Sequence, residues 1–311
     1  MHTIVMLMKQ HSYLDTNREL MHKLLHVDEL AGKLKRLADH ENSEDDGNNE
    51  SDSSEDSQAV IEAEIADLKE ELSLGAGFPN NVTFGNFVDY LAVPTLVYEL
   101  AYPRTTHIRV SYLAFKIFST FSAFFILYIT VDEFVLPVLH QMPNLSFLDA
   151  LVGLLFPFAI LYLLLFFIIF ECILNAFAEM TRFADRLFYE DWWNSTSWDQ
   201  YARRWNRPVH EFLLRHVYME SLRHRQSKTN ATFITFFLSS CFHELVMVVV
   251  GRRVRMYLFG LQMAQLPLIY VMRLPFIRQH KILGNMIFWW SIFIGPPLLS
   301  TLYCREHFLL P

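Results

Sequence analysis

Two runs of twenty residues in this chain carry no charged side chain: LVGLLFPFAILYLLLFFIIF (151–170) and GNMIFWWSIFIGPPLLSTLY (284–303). Twenty residues of helix span about 30 Å, the hydrocarbon thickness of a bilayer. Three more windows read the same way. Residues 110–131 carry only Lys116, near one end, where its stem can snorkel to the interface. Residues 230–250 carry only His243 and Glu244, and 256–272 carry no charge. A soluble helical core produces one such window, but not five together. Five membrane helices are therefore expected, in an all-α, multi-pass membrane helix bundle, because lipid leaves a backbone no partner but itself.

Charge divides the chain unevenly. Residues 1–76 hold 18 acids against 7 Lys and Arg, whereas 77–311 hold 15 against 19. That asymmetry marks a polar appendage on a membrane body. The overall net charge of −7 argues against a nucleic-acid partner. Within the appendage, 1–40 reads as the end of a membrane helix followed by an amphipathic helix. Residues 41–57 (ENSEDDGNNESDSSEDS) lack any apolar side chain and are expected to be a disordered acidic linker. Residues 58–77 form a second amphipathic helix, with Val60, Ile61, Ile65, Leu68 and Leu72 on one side. Residues 78–311 make the membrane-embedded body, opened at 78–109 by a Pro-broken juxtamembrane stretch. Cys172, Cys241 and Cys304 show no metal or disulfide spacing, and the first residues lack the pattern of a signal peptide.

Orientation is harder to read. The segment 171–229 carries nine Lys and Arg and should face the cytosol. Arg252, Arg253 and Arg255 are basic too, yet a full crossing at 230–250 puts them on the other side. One of the two helices that flank this turn must be short, tilted or re-entrant, and the sequence alone does not say which.

Two stretches could carry chemistry. In FLSSCFHELVMVVV (237–250), His243 sits in an otherwise apolar helix, where an ionisable group is costly and marks a functional candidate. Ser239 and Ser240, at i−4 and i−3, are expected to share its face. Met247 stands where a zinc-protease helix needs a second His, so no metal is implied. A neutral imidazole can instead take a proton from an attacking hydroxyl. The second stretch, LFYEDWWNSTSWDQYARRWNRPVH (187–210), joins four Trp and two Tyr to Arg203, Arg204 and Arg207. Aromatic faces suit a planar ligand and guanidinium forks suit phosphates. An interfacial belt with snorkelling arginines has the same composition.

FYEDWWN (188–194) resembles the FYxDWWN signature of sterol O-acyltransferases, within the membrane-bound O-acyltransferase superfamily. WNRPVHEFLLRHVY (205–218), FLSSCFHEL (237–245), VPTLVYELAYPRT (93–105) and YLFGLQMAQLPL (257–268) resemble further blocks of that family, in the same order. The resemblance covers roughly residues 1–17 and 78–305, and the wording at 196–218 is nearest the fungal branch, whose usual acceptor is ergosterol. It implies transfer of a fatty acyl group from acyl-CoA to a sterol 3-hydroxyl, in the endoplasmic reticulum membrane, by a dimer or tetramer with no metal or bound cofactor. His243 matches the catalytic base and Asn206 the asparagine that positions the reacting groups. Arg203, Trp205, His210, Tyr218, Lys228 and Ser239 match positions along the acyl-CoA path. Phe188, Tyr189, Asp191, Trp192, Trp193 and Asn194 match the motif that shapes and supports the site. Diacylglycerol acyltransferases share the His and Asn; AYPRT (101–105) and Asp191 favour the sterol branch. A non-catalytic lipid-binding protein that keeps the fold is the third reading. The family fold has about nine membrane helices, so the resemblance further implies that this chain is an N-terminally truncated form.

Overall fold

A computed structural model describes residues 2–41 and 51–309. Nearly everything described is helical; the only β contact among those residues is an isolated bridge between Arg104 and Phe183. The chain forms two compact units, His2–Pro103 and Arg104–Pro311.

The first unit is built on α1 (His2–Glu41) and α2 (Ser51–Ser73). Leu20, Leu24, Val27 and Leu30 recur at helical spacing on α1 and pack against Ile61, Ile65, Leu68 and Leu72 of α2. Val60, expected on that same stripe, points outward. The expected linker at 41–57 is revised in part. Glu41 ends α1, residues 42–50 lie outside the described residues, and 51–57 are the opening turns of α2.

Residues 78–103, expected to open the membrane body, fold with this first unit instead. The reason is polar. Lys9 of α1 is buried, and its ammonium donates to the carbonyls of Tyr90, Leu91 and Val93 at 2.9, 3.0 and 2.6 Å. The first two carbonyls lie in the last turn of α3 (Phe84–Ala92) and the third on its C-cap, where helix carbonyls run out of intrahelical partners. The Tyr98 hydroxyl adds to this, accepting from Asn81 at 2.9 Å and donating to Asn86 at 2.8 Å.

The second unit holds four helices long and apolar enough to cross a membrane: α4 (Val110–Asn144), α5 (Phe147–Met180), and the long helices Lys228–Gly251 and Lys281–Glu306. Short helices α6 (Trp198–Arg204) and α7 (Arg207–Leu213) precede the third of these, α8 (Lys228–Gly251). Then come α9 (Tyr257–Met263), α10 (Gln265–Met272) and α11 (Pro275–Gln279), before α12 (Lys281–Leu309). Ser146 and Ser227 start α5 and α8 as N-caps, each accepting a backbone N–H three residues on at 3.1 Å.

The fifth expected crossing, 256–272, is corrected. It is a short pair, α9 and α10, broken at Ala264. Sixteen residues reach about 24 Å, short of the hydrocarbon thickness. Phe259 lies beside Glu244 of α8 at one end, and Arg273 pairs with Asp199 of α6 at 3.5 Å at the other. The short helix is thus the one after the basic turn. Of that turn's arginines, Arg255 faces inward and pairs with Glu306 at 3.0 Å.

Lys116 also differs from expectation. Rather than snorkelling, it is buried against Glu171 of α5 at 3.0 Å. A π-helical stretch, Phe167–Ile173, slips the register of α5 where Glu171 meets α4. α5 runs ten residues past the uncharged window, and its last turns carry Glu171, Asn175 and Glu179. Glu179 is fully buried and holds Arg109 and Arg186 at 2.9 and 2.8 Å.

Candidate active site

The signature stretch folds as a tight loop around one indole. Trp192 is 1% exposed. Its ring packs against Tyr162 and Phe166 of α5, Tyr201 of α6, Trp205, and Trp289 of α12, with centroids 4.9–6.2 Å apart. Edge-to-face and tilted arrangements dominate, as the ring quadrupoles prefer. Phe188 is buried beside this cluster, and the Tyr189 hydroxyl donates to Glu171. Burial and the neighbouring Glu171 raise the Tyr189 hydroxyl above its usual range, so it stays a donor. Asp191 pairs with Arg204 at 3.3 Å and accepts from Asn194 at 3.4 Å. Trp193 is partly exposed, and its backbone carbonyl is the part in use.

Two backbone bonds tie this loop to the next motif. Glu190 N–H donates to the Arg204 carbonyl at 2.9 Å, and Arg207 N–H donates to the Phe188 carbonyl at 3.0 Å. Trp205 and Asn206 lie between those rungs. Trp205 stacks on Tyr162 at 4.8 Å. Asn206 is the N-cap of α7; its Oδ1 accepts from Val209 N–H at 3.2 Å. That bond commits the carbonyl end of the amide and leaves Nδ2 as the end that can donate.

Beside this corner lies a cleft of about 490 Å³ lined by Glu190, Gln200, Arg203, Arg204, Arg207, His210, Glu211 and Leu214. Each arginine is held by an acid: Arg203 by Asp199 at 3.2 Å, Arg204 by Asp191, and Arg207 by Glu211 at 2.6 Å. Burial works to raise the Asp199 carboxyl, but the Ser197 hydroxyl, Arg203 and Arg273 outweigh it and hold Asp199 ionised. Burial, then Arg203, push the His210 imidazole below its ordinary range. His210 therefore faces the cleft as a neutral ring at pH 7. Arg203 and His210, two expected acyl-CoA contacts, thus share one cleft.

On α8, adjacent residues look opposite ways. His243 is exposed, and its Nδ1 lies 2.8 Å from the Ser239 carbonyl. A carbonyl only accepts, so Nδ1 carries a proton, and in the neutral ring Nε2 keeps the free lone pair. Ser240, expected on the same face, is buried and donates to the Phe236 carbonyl at 2.7 Å. Glu244 is 4% exposed and faces inward. Its carboxylate accepts from Met256 and Phe259 N–H at 2.8 and 3.0 Å, capping α9, and from the Tyr303 hydroxyl at 3.2 Å. Arg255 reaches the Tyr303 carbonyl at 3.2 Å, and the Tyr257 hydroxyl reaches Glu306 at 3.1 Å.

Among the described residues, no hydrogen bond joins His243 to Asn206. Tyr218 is half-buried, beyond α7, and Lys228 is exposed at the start of α8. Neither lines the arginine cleft. Sequence reasoning missed Asn285 on the first turn of α12, whose Nδ2 donates to the carbonyls of Trp193 and Ser195 at 2.8 and 2.9 Å. It also missed the capping role of Glu244. The signal for the latter was an acid that an apolar helix tolerates only with partners.

Comparison with known proteins places this arrangement. The membrane-bound O-acyltransferase family model matches residues 5–305. The chain belongs to the membrane-bound O-acyltransferase family. It is 40% identical over 318 residues to probable sterol O-acyltransferase 2 of Schizosaccharomyces pombe, covering 97% of this chain and 63% of that protein. To sterol O-acyltransferase 2 of Saccharomyces cerevisiae it is 44% identical over 240 residues, 73% of this chain and 37% of that protein. Diacylglycerol O-acyltransferase 1 of Dictyostelium discoideum is 36% identical over 239 residues, 75% and 38%. The chain therefore spans 63% or less of the length of these family members.

Proposed function

We propose that this protein transfers a fatty acyl group from acyl-CoA to the 3-hydroxyl of a membrane sterol, of the ergosterol type, in the endoplasmic reticulum membrane. The observation that carries the reading is the His243 ring. It sits on a membrane-length helix with Nδ1 tied to the Ser239 carbonyl, which in the neutral ring leaves Nε2 as the acceptor. In the proposed step Nε2 takes the sterol hydroxyl proton while the oxygen attacks the thioester carbon. The C–S bond breaks, and the CoA thiolate recovers the proton from the imidazolium. General-base assistance of this kind contributes about 10²–10⁴ in rate. Asn206 Nδ2 donates to the thioester oxygen as charge develops there. Arg203, Arg204 and Arg207 exchange their carboxylate partners for CoA phosphates, with Trp205 and His210 beside them. Tyr218, Lys228 and Ser239 line the rest of the acyl-CoA path, and the Phe188–Asn194 loop supports the site. The step is written without a metal or a bound cofactor. Assembly as a dimer or tetramer belongs to the same proposal.

The sterol O-acyltransferase names of the fungal relatives support the sterol acceptor over diacylglycerol, which the Dictyostelium relative keeps as the second reading. The test is esterification of labelled sterol by membranes of a host that lacks its own acyltransferases and expresses this chain. Diacylglycerol is offered in parallel. Steryl ester that disappears in His243→Ala supports the reading. Triacylglycerol as the product would replace sterol with the rival acceptor, and steryl ester retained by His243→Ala would remove the base.

A further inference from the structure

Helix α12 meets the Trp-rich loop through its first turns, in a contact no motif announces. Asn285 spends its amide N–H groups on two carbonyls of the loop, Trp193 and Ser195, at 2.8 and 2.9 Å. The Trp289 indole N–H, one turn on, adds a bond to the Trp193 carbonyl at 3.0 Å, and its ring lies 5.7 Å from Trp192. Phe288, fully buried, packs edge-on against Trp198. The approach is so close that residue 284 has to be glycine: a Cβ there would stand 2.6 Å from the Thr196 carbonyl oxygen. The loop thus has two anchors. One is the pair of backbone rungs from Phe188 and Glu190 to Arg207 and Arg204, which flank Trp205 and Asn206. The other is α12, some ninety residues away in sequence.

We propose that Asn285 is a positioning residue for the transfer reaction, acting through the Trp193–Ser195 turn on the Asn206 corner. The catalytic half of this inference rests on the acyl-transfer reading above. Physically, the Trp192–Asn194 3₁₀ turn closes on local bonds, Asn194 N–H to the Asp191 carbonyl and Ser195 N–H to the Trp192 carbonyl, both at 3.0 Å, which fix its shape but not its seat on α12. Carbonyls pointing out of such a turn are free to reorient unless a donor claims them. Asn285 claims two. Without it, the Trp289 indole keeps the Trp193 carbonyl but the Ser195 carbonyl is released, so the turn tilts on the aromatic cluster, Trp192 moves against Trp205 4.9 Å away, and Nδ2 of Asn206 loses its aim. Misplacement by about 1 Å costs on the order of 10²-fold in turnover.

Two variants test this from different sides. Asn285→Ala removes both donors. Gly284→Ala keeps every donor but forces α12 off the Thr196 carbonyl. Hydrogen exchange of peptides within 187–206 and kcat and KM for acyl-CoA are read on each, in detergent-solubilised full chain. Expected is exchange faster by about tenfold in 187–206 with Phe147–Met180 unchanged. Turnover should fall by about 10- to 100-fold, with KM for acyl-CoA within about twofold. Asn285→Asp, which turns a carboxylate toward two carbonyls, should fall further. Should Asn285→Ala fail to insert, Asn285→Ser, with one hydroxyl donor, takes its place. Unchanged exchange in both variants overturns the anchor. Faster exchange with wild-type kcat, or a loss carried by KM, overturns the positioning role. A wild-type chain that esterifies nothing defeats the acyl-transfer reading and the positioning role with it, while exchange still decides whether α12 holds the loop.

Discussion

Trp192 is enclosed by aromatic rings from α5, α6 and α12, and the loop that carries it is tied by backbone rungs and by Asn285. His243, on α8, is exposed, and its Nδ1 bonds within its own helix. Loop and helix together hold the residues proposed for the chemistry, yet only the loop is over-determined. Loops leave backbone groups to be claimed, so a precise loop needs many partners. A helix satisfies its own backbone and needs a partner only to fix its rotation. Glu244 supplies that partner, from the buried face about 100° around the helix from the histidine. The precision at His243 is borrowed from its neighbour, and the ring itself stays free to meet a substrate.

Substitutions should separate the two designs. The largest expected effect is at His243: His243→Ala loses about 10²–10⁴ in steryl ester turnover, with an unfolding midpoint equal to wild type in the same detergent. Trp192→Ala should behave oppositely and first cost stability, about 3–5 kcal/mol, read as a lowered unfolding midpoint. A Trp192→Ala protein as stable as wild type would break the contrast. Glu244→Ala leaves two N–H groups and a hydroxyl unclaimed and should destabilise by about 1–3 kcal/mol. Kinetics sharpen the loop side. Asn206→Ala should lower kcat, whereas Arg203→Ala should raise KM for acyl-CoA about tenfold and spare kcat, as expected for one phosphate contact. Matched losses in both parameters would erase that division. The smallest effect is the pH dependence of His210. Its folded pKa is depressed, so below its unfolded value the unfolded chain binds the proton first. Stability should be full above that value and decline as pH falls toward the folded pKa. The slope of denaturation midpoint against pH should flatten in His210→Gln.

The long apolar helices were legible because a bilayer demands uncharged length, and composition reports length directly. Their polar ends were not. Glu171 and Glu179 look like the start of a cytosolic loop until the partners on α4 and at Arg186 are known. Lys116 read as a snorkelling cation for the same reason. The motif residues were legible as a group, and Trp192, Tyr189 and Asp191 do face one another or near neighbours. Asn285 was illegible because one amide in an apolar window says nothing until the carbonyls it meets are in view. The five-helix count failed at 256–272, where a charge-free stretch yields only the sixteen helical residues Tyr257–Met272, too few to span.

That shortfall has a consequence for the lipid around it. The pair α9–α10 stands among four apolar helices that are eight to nineteen residues longer. Lipid tails along this flank meet an apolar strip about 24 Å tall, against a relaxed thickness of about 30 Å. Such hydrophobic mismatch costs a fraction of a kcal/mol per Å, and the bilayer relieves it by thinning locally. Where that flank meets lipid, head groups should sink toward the midplane, with acyl chains there splayed and less ordered than in the unperturbed bilayer. A lipid leaving the membrane sideways has the least cohesion to overcome at such a dent.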